Sequence, residues 1–206
     1  LAFGQGLTEV TPLQQAVAYS TFANGGTRYQ PQVVAAVVSP SGKVVQRMAP
    51  KAVGHIAYGA ADYAAMLKGF EGVIDNQSGT GYAVFGGAGW NQQAFPLAGK
   101  TGTASVNGEE PVSWFVGFGP LPDPQYVVVV DINEGGYGVD AAAPVVRNIF
   151  NYLAAHPVTA PGIPPDPAVI RSPSPVALPT APSSTTTSVP GSTTTGSTTT
   201  TTAPGA

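Results

Sequence analysis

The chain has 206 residues, of which only 9% are charged, and its formal net charge is -3. Eight lysines and arginines spread over this length supply no basic face for phosphate contacts, which argues against a nucleic-acid partner. The absence of cysteine removes disulfides, zinc–thiolate sites and thiol nucleophiles together. The length allows one domain and a tail.

The beginning of the sequence, LAFGQGLTEV, contains no methionine, no charged leader and no long apolar run. These ten residues therefore lack the features of a signal peptide or of a membrane span. We interpret the chain as the C-terminal piece of a longer protein.

The composition changes abruptly at His156. From there to residue 206 the chain consists mainly of proline, threonine, serine, alanine and glycine, with almost no charge and no aromatic residue. Such a segment buries too little apolar area to offset roughly 1–2 kcal/mol of backbone entropy per ordered residue. We therefore expect a folded part over residues 1–155 and a disordered tail over 156–206, a composition also typical of extracellular, sometimes glycosylated stalks.

The first predicted element is a helix in TPLQQAVAYSTFANGG. Thr11 is a candidate N-cap, Pro12 occupies the first helical position, and the helix should end at residues 24–26, Asn-Gly-Gly. Helical spacing predicts a packing stripe on this helix. Its members are Leu13, Ala16, Val17 and Ser20.

A hairpin and a second helix should follow. Two β-branched runs in QVVAAVVSPSGKVVQRM flank the turn residues 40–42, which predicts a hairpin. In DYAAMLKGFEGVI, Asp62 is a candidate cap and apolar residues recur at helical spacing, so this helix should face a core. Its predicted apolar face consists of Tyr63, Met66, Leu67 and Phe70.

Three strands and a closing helix complete the predicted fold. The strands cover residues 95–106, 112–118 and 126–132, and the short connections between them predict antiparallel neighbours. The third strand, YVVVVDI, is apolar on both faces and should be buried between layers. The segment APVVRNIFNYLAAH should form a helix with Val146, Ile149, Phe150 and Leu153 inward. Helices covering a mostly antiparallel sheet make an α+β fold.

The segment FPLAGKTGTASV places a cation and two hydroxyls on a strand predicted to be buried. A phosphate-binding loop is not indicated, because position 94 holds Ala94 where such a loop requires glycine, and because the segment does not lead into a helix. A strand that only had to pack would not need these side chains. The candidate site residues are Lys100, Thr101, Gly102 and Thr103.

Other catalytic arrangements find little support. His55 and His156 are about 100 positions apart, and neither has a carboxylate or a second histidine at ligand spacing, which argues against a metal site or a Ser-His-Asp triad. Glu109 and Glu110 fit a solvated turn better than an acid/base pair. We expect no metal and no cofactor.

Four segments carry a resemblance to a known family. GQGLTEVTPLQQAVAYSTFANGG, AGKTGTA, SWFVGFGPLPDPQYVVVVDI and AAPVVRNIF occur in this order within residues 4–153. In these segments the chain resembles the C-terminal half of the transpeptidase domain of class B, elongation-type penicillin-binding proteins, in which Lys-Thr-Gly is the third sequence signature.

The resemblance implies a role for each candidate site residue. Lys100 and Thr103 would be catalytic, and Thr101, Gly102 and Thr103 would bind substrate. The two hydroxyls can donate to a terminal carboxylate, while the lysine adds positive charge. In the family this carboxylate belongs to the D-Ala-D-Ala end of a peptidoglycan stem peptide or to a β-lactam. The resemblance also gives the backbone N–H of Thr103 half of the oxyanion hole, and a side chain at Gly102 would obstruct the substrate.

The chain departs from the family pattern in one respect. The family's nucleophile motif, Ser-x-x-Lys, does not occur in it. Residues 105–107, Ser-Val-Asn, have the spelling of the family's middle motif, but they follow Thr103 on the same strand instead of lying on a separate upstream loop. We regard this match as accidental and expect the chain alone to be inactive.

The resemblance implies a longer protein with a defined role. It would be a D,D-transpeptidase that cross-links peptidoglycan through a serine acyl-enzyme at the extracytoplasmic face of the bacterial cell membrane, with a membrane anchor in its N-terminal part. Other cell-wall synthesis proteins are possible partners. A serine β-lactamase, a D,D-carboxypeptidase and a non-catalytic cell-wall interaction module stay open as alternatives.

Two further regions carry expectations. Large aromatic residues in a buried sheet are usually packing residues, so Trp114, Phe115 and Phe118 are expected in the core. Residues 133–138, including Tyr137, should form a loop that borders the cleft in the resembled fold. A gating or substrate-contact role for this loop is a hypothesis, since functional residues gather on such loops.

Overall fold

The computed structural model describes residue 6 and residues 8–157. The predicted tail therefore lies outside the described residues, apart from positions 156 and 157. The described part contains three helices and seven strands, in the order α1 (Pro12–Ala23), β1 (Thr27–Tyr29), β2 (Ala36–Val38), β3 (Val44–Arg47), β4 (Ala52–His55), α2 (Ala60–Asp75), β5 (Ala98–Ala104), β6 (Val112–Gly119), β7 (Tyr126–Ile132) and α3 (Ala142–Ala155). Within the same residues, no helix combines the length and the apolar character needed to cross a membrane.

Helix α1 begins and ends where the sequence predicts. The Thr11 hydroxyl accepts a hydrogen bond from the backbone N–H of Gln14 at 3.2 Å, and the Gln14 side chain accepts one from the backbone N–H of Thr11 at 2.8 Å. This reciprocal capping box satisfies two N–H groups that the first helical turn leaves unpaired. The predicted packing stripe is wrong at Leu13, which is 60% exposed, because the buried residues of α1 lie in its last turn, at residues 21–23.

The four short strands form two small antiparallel sheets. Strands β2 and β3 make the predicted hairpin, with Val38 opposite Val44. Strands β1 and β4, which the sequence patterns did not indicate, pair around this hairpin, with Thr27 opposite His55. Strands of three to four residues are too short to show a clear alternation of polar and apolar positions. In addition, β1 and β4 are far apart in the sequence.

Helix α2 begins earlier than predicted. Its N-cap is Gly59, and Asp62 lies in the first turn, where an acidic side chain interacts favourably with the helix dipole. Three of the four predicted apolar residues pack against buried residues of α1, β5 and β6, namely Tyr63, Leu67 and Phe70. The fourth, Met66, is 46% exposed, so its predicted position in the core is wrong.

The main sheet has the strand order β5–β6–β7 with both pairs antiparallel, as predicted. Successive side chains of β6 alternate between its two faces. On one face Phe115 packs with Val146 and Phe150 of α3, and on the other Phe118 packs with Phe22 of α1. The helices therefore cover both faces of an antiparallel sheet, which confirms the α+β fold.

Two burial predictions for the last elements need correction. All seven residues of β7 are half-buried, although helices contact both of its faces, because β6 is its only neighbouring strand among the described residues. On α3, Val146 and Phe150 are fully buried as predicted, whereas Ile149 is 37% exposed. The inward-facing stripe of α3 is thus narrower than the sequence indicates.

Candidate functional site

Strand β5 holds the four candidate residues in a regular ladder with β6. Lys100 pairs with Val116, and Gly102 pairs with Trp114. The side chains of Lys100, Val116 and Trp114 therefore share one face of the sheet. The intervening residues point to the opposite face, where Thr101 pairs with Phe115 and Thr103 pairs with Ser113.

The strand forms one wall of an open groove of about 600 Å³. Trp114, Val116 and Asp131 of the neighbouring strands also line it. Gln15 and Tyr19 of α1, together with the segment before that helix, line it as well. The structure thus brings all four predicted site residues to one groove, and the strand residues that line it are Lys100, Thr101, Gly102, Thr103 and Ala104.

The polar side chains of the strand have defined hydrogen-bond partners. Lys100 is exposed, and its Nζ donates to the backbone oxygen of Thr101 at 2.6 Å. The hydroxyl oxygen of Thr101 lies 2.8 Å from that of Thr80, which belongs to the turn after α2. Thr103 Oγ1 accepts a hydrogen bond from the backbone N–H of Gly138 at 3.3 Å. Two separate loops therefore position the two hydroxyls.

The loop between β7 and α3 is hydrogen-bonded to the sheet beside Thr103. The fully buried Ser113 donates through Oγ to the backbone oxygen of Tyr137 at 2.9 Å and accepts from the N–H of Ala142 at 3.1 Å. The loop therefore borders the site strand, as expected. The Tyr137 side chain is 68% exposed, and its proposed gating or substrate-contact role stays a prediction.

The three aromatic residues of β6 do not share one environment. Phe115 and Phe118 are fully buried, as predicted. Trp114 instead is half-buried and lines the groove. Alternation places Trp114 on the same face as Phe118, but Phe22 and Ala23 of α1 pack against Phe118 while Trp114 faces the groove, so the prediction that Trp114 is a core residue is wrong.

A family model described as the penicillin binding protein transpeptidase domain matches residues 1–151. The chain belongs to this family. The resemblance indicated by the sequence motifs is thereby confirmed, and the groove beside β5 lies within the matched residues of this transpeptidase domain.

Similar proteins include two curated relatives. Stage V sporulation protein D of Bacillus subtilis is 34% identical over 162 residues, an alignment that covers 72% of this chain and 23% of the relative. Penicillin-binding protein PbpB of Mycolicibacterium smegmatis is 30% identical over 171 residues, covering 74% of this chain and 25% of the relative. The chain thus spans about a quarter of the length of these curated relatives.

A solved structure shows the same fold. PBP2 of Pseudomonas aeruginosa, determined in complex with WCK 5153, matches with a TM-score of 0.57 and 30% sequence identity over 72% of this chain and 30% of that one. The transpeptidase fold is therefore supported by both sequence and structure.

A metal or histidine centre has no support in the described part of the transpeptidase domain. None of those residues form a group of three or more His, Cys, Asp or Glu side chains that could hold a metal ion. His55 is exposed on β4, and His156 stacks on Tyr152 at the end of α3 with 4.3 Å between ring centroids. Glu109 and Glu110 are exposed in the β5–β6 turn, as predicted.

One tyrosine of the groove has a raised pKa. Tyr19 lines the groove from α1, and burial raises its pKa above the ordinary value of 10.0. The phenol of Tyr19 is therefore protonated, and uncharged, near neutral pH.

Sequence reasoning missed two residues that organise the transpeptidase site, Thr80 and Ser113, and it placed Gly138 in the loop beside the cleft without indicating its contact with Thr103. Both missed residues carry a signal in the sequence. Thr80 stands between two glycines in SGTGY, and Ser113 is the polar residue in the otherwise apolar run VSWFVGFG. Neither signal identifies the partner, because Thr80 and Thr101 are 21 positions apart and Ser113 and Tyr137 are 24 apart.

Proposed function

We propose that the protein carrying this chain is a D,D-transpeptidase that cross-links peptidoglycan stem peptides through a serine acyl-enzyme. In this proposal residues 1–155 are the C-terminal part of its transpeptidase domain, and residues 156–206 are an extension rich in proline, serine and threonine. The observation that carries the proposal is the groove wall on which Lys100, Thr101 and Thr103 lie together in a chain of this family.

The geometry of β5 suits recognition of an extended peptide that ends in a carboxylate. A strand with a small glycine allows such a peptide to approach its backbone closely. The hydroxyls of Thr101 and Thr103 can donate to the carboxylate, and the ammonium of Lys100 offsets its charge. We propose the D-Ala-D-Ala end of a stem peptide as the substrate and a β-lactam carboxylate as its mimic.

We infer that the chemistry needs groups from outside this chain. The serine oxygen would attack the carbonyl of the penultimate D-alanine, and the terminal D-alanine would leave as a protonated amine. An amine of a second stem peptide would then displace the serine. The backbone N–H of Thr103 would supply half of the oxyanion hole, a kind of contact whose loss costs roughly 10²–10³ in rate. The sequence contains no Ser-x-x-Lys, so we expect the chain alone to be inactive.

The proposal also concerns location and partners. Peptidoglycan is cross-linked outside the cytoplasmic membrane, so we propose the extracytoplasmic face of the bacterial cell membrane as the site of action. We also propose an anchor elsewhere in the protein and other cell-wall synthesis proteins as partners. The Ser/Thr/Pro-rich segment after residue 156 has a composition typical of extracellular stalks.

The test is acylation of the full-length protein by fluorescent penicillin. We expect covalent labelling of the full-length protein and none of residues 1–206 alone. Lys100→Ala should lower the second-order acylation rate roughly 10- to 100-fold, because it removes a charge-assisted contact to the carboxylate. Lys68→Ala is the matched control, since Lys68 is an exposed lysine on α2 away from the groove, and it should leave the rate unchanged.

The outcomes separate the alternatives. An acyl-enzyme that persists supports the transpeptidase, whereas rapid hydrolysis of the acyl-enzyme supports a β-lactamase or a D,D-carboxypeptidase. A full-length protein that penicillin does not label would overturn the catalytic proposal and favour a non-catalytic cell-wall interaction module.

A further inference from the structure

The contact between Thr80 and Thr101 joins a substrate-binding strand to a turn without an assigned role. The two hydroxyl oxygens are 2.8 Å apart, a normal distance for an O–H···O hydrogen bond. Either oxygen could be the donor in the free protein. The direction of this hydrogen bond decides what Thr101 can offer to a ligand.

The turn that carries Thr80 is held firmly on both sides. The backbone N–H of Gly81 donates to the oxygen of Val73 in α2 at 2.9 Å, and that of Gly79 donates to the oxygen of Asn76 at 2.7 Å. A β-carbon on Gly79 would collide with the backbone oxygen of Gly72. The turn is therefore packed against the end of α2, and Thr80 is presented from a fixed backbone.

The same turn also packs against β6, the strand that pairs with the site strand β5. A β-carbon on Gly81 would lie 3.3 Å from the ring of Phe115, the residue that pairs with Thr101 across the sheet. The ring of Phe115 is fully buried and stacks on Phe85 with 5.4 Å between centroids. The core thus fixes the position of Thr80 relative to Thr101.

A carboxylate imposes one proton arrangement on this pair of hydroxyls. An ionised carboxylate accepts hydrogen bonds and donates none, so Thr101 must donate its only hydroxyl hydrogen to bind it. Thr101 Oγ1 can then act towards Thr80 only as an acceptor. A hydroxyl that accepts one hydrogen bond is polarised and becomes a stronger donor in the next.

We propose that Thr80 is a positioning and specificity-determining residue for this site. It donates its hydroxyl hydrogen to Thr101 Oγ1, which directs the hydrogen of Thr101 into the groove and favours ligands that carry a carboxylate over neutral analogues. This inference rests on the proposed function, because it assumes that Thr101 binds the carboxylate of a peptide or β-lactam.

The experiment compares two ligands on the full-length protein. The second-order acylation rate is measured with a penicillin as the free carboxylate and with the methyl ester of the same penicillin. Thr80→Val keeps the shape of the side chain but cannot donate. We expect it to lower the acid-to-ester rate ratio about two- to tenfold, the range for one neutral hydrogen bond. Thr80→Ser restores the hydroxyl and should restore the ratio.

Two further variants distinguish positioning from a structural role. Ser78→Ala removes an exposed hydroxyl from the same turn, two residues away, and should leave the ratio unchanged. Thr101→Val removes the donor itself, so adding Thr80→Val to it should produce no further fall in the ratio. If Thr80→Val lowers stability, the acid-to-ester ratio still tests the proposal, because it compares two ligands on the same folded protein. The same holds for the double variant.

Each outcome decides between the two proposals. A wild-type protein that neither ligand acylates overturns the proposed function and this inference with it. An acid-selective wild type whose ratio is the same in Thr80→Val overturns the role of Thr80 alone. A ratio that falls in Thr80→Val, recovers in Thr80→Ser and shows no additional fall in the double variant supports it.

Discussion

Each hydroxyl of the site strand is held by a residue from a different loop. Thr101 contacts Thr80 of the turn after α2, and Thr103 accepts from Gly138 of the β7–α3 loop. Hydroxyls that are held in this way lose less rotational freedom when a ligand binds. The sequence predicted the four strand residues but not the loop residues that contact them, and the roles of the four residues stay predictions.

Gly138, one of these two contacting residues, has no space for a side chain. A β-carbon at this position would collide with the backbone oxygens of Gly102 and Trp114 and would lie 2.9 Å from the nitrogen of Gly102. Backbone atoms within a paired sheet cannot move aside as a flexible side chain can. The loop therefore approaches the site strand as closely as a glycine allows.

Gly138→Ala should consequently push the loop away from β5. We expect a loss of about 1–3 kcal/mol in the free energy of unfolding, the usual cost of overpacking, together with slower penicillin acylation because Thr103 loses the N–H that it accepts from. Chemical denaturation and labelling of the full-length protein measure the two effects. Unchanged stability would show that the loop does not pack against the strand as described.

At the scale of elements, helix boundaries were more predictable than helix burial. The capping box of α1 lies within four consecutive residues, so the sequence contains the whole motif. Leu13, Met66 and Ile149 were each assigned to a buried face and are 60%, 46% and 37% exposed. Periodicity identifies the apolar side of a helix, but how far a neighbouring element extends along that side depends on tertiary packing.

The interior of α2 offers a test of helix propensity. Gly69 is exposed in the middle of the helix, and a β-carbon there would have no neighbour within 4 Å. Gly69→Ala should stabilise the full-length protein by about 0.5–1 kcal/mol, because alanine loses less backbone entropy on folding. The midpoint of urea denaturation measures the change. A lower midpoint would indicate that the exposed face of α2 is covered in the full-length protein.

At the scale of the whole molecule, apolar surface remains uncovered among the described residues. Val145, Ile149 and Tyr152 form an exposed row along α3 and are 40%, 37% and 63% exposed. Strand β7 has one neighbouring strand in the described part of the chain, and its residues are only half-buried. Exposed apolar side chains and an unpaired strand edge each favour association with additional polypeptide.

We therefore expect isolated residues 1–156 to be poorly stable. They should unfold over a broad temperature range or self-associate, because the exposed apolar surface and the unpaired edge are not satisfied within this segment. Calorimetry combined with sedimentation measures both properties. A sharp, cooperative transition of a monomer would contradict this prediction and show that the three-stranded sheet suffices for an independent fold.

The sequence by itself determined the α+β class and most helix and strand positions, and it predicted Lys100, Thr101, Gly102 and Thr103 as candidate site residues. These properties reside in consecutive residues, where capping, alternation and motif spelling act over short distances. Only the tertiary structure decided that Thr80 and Gly138 support the strand, that Trp114 lines the groove, and that β1 pairs with β4. These contacts join residues far apart in the chain, and their formation depends on how the helices and the sheet pack together, which no short segment encodes.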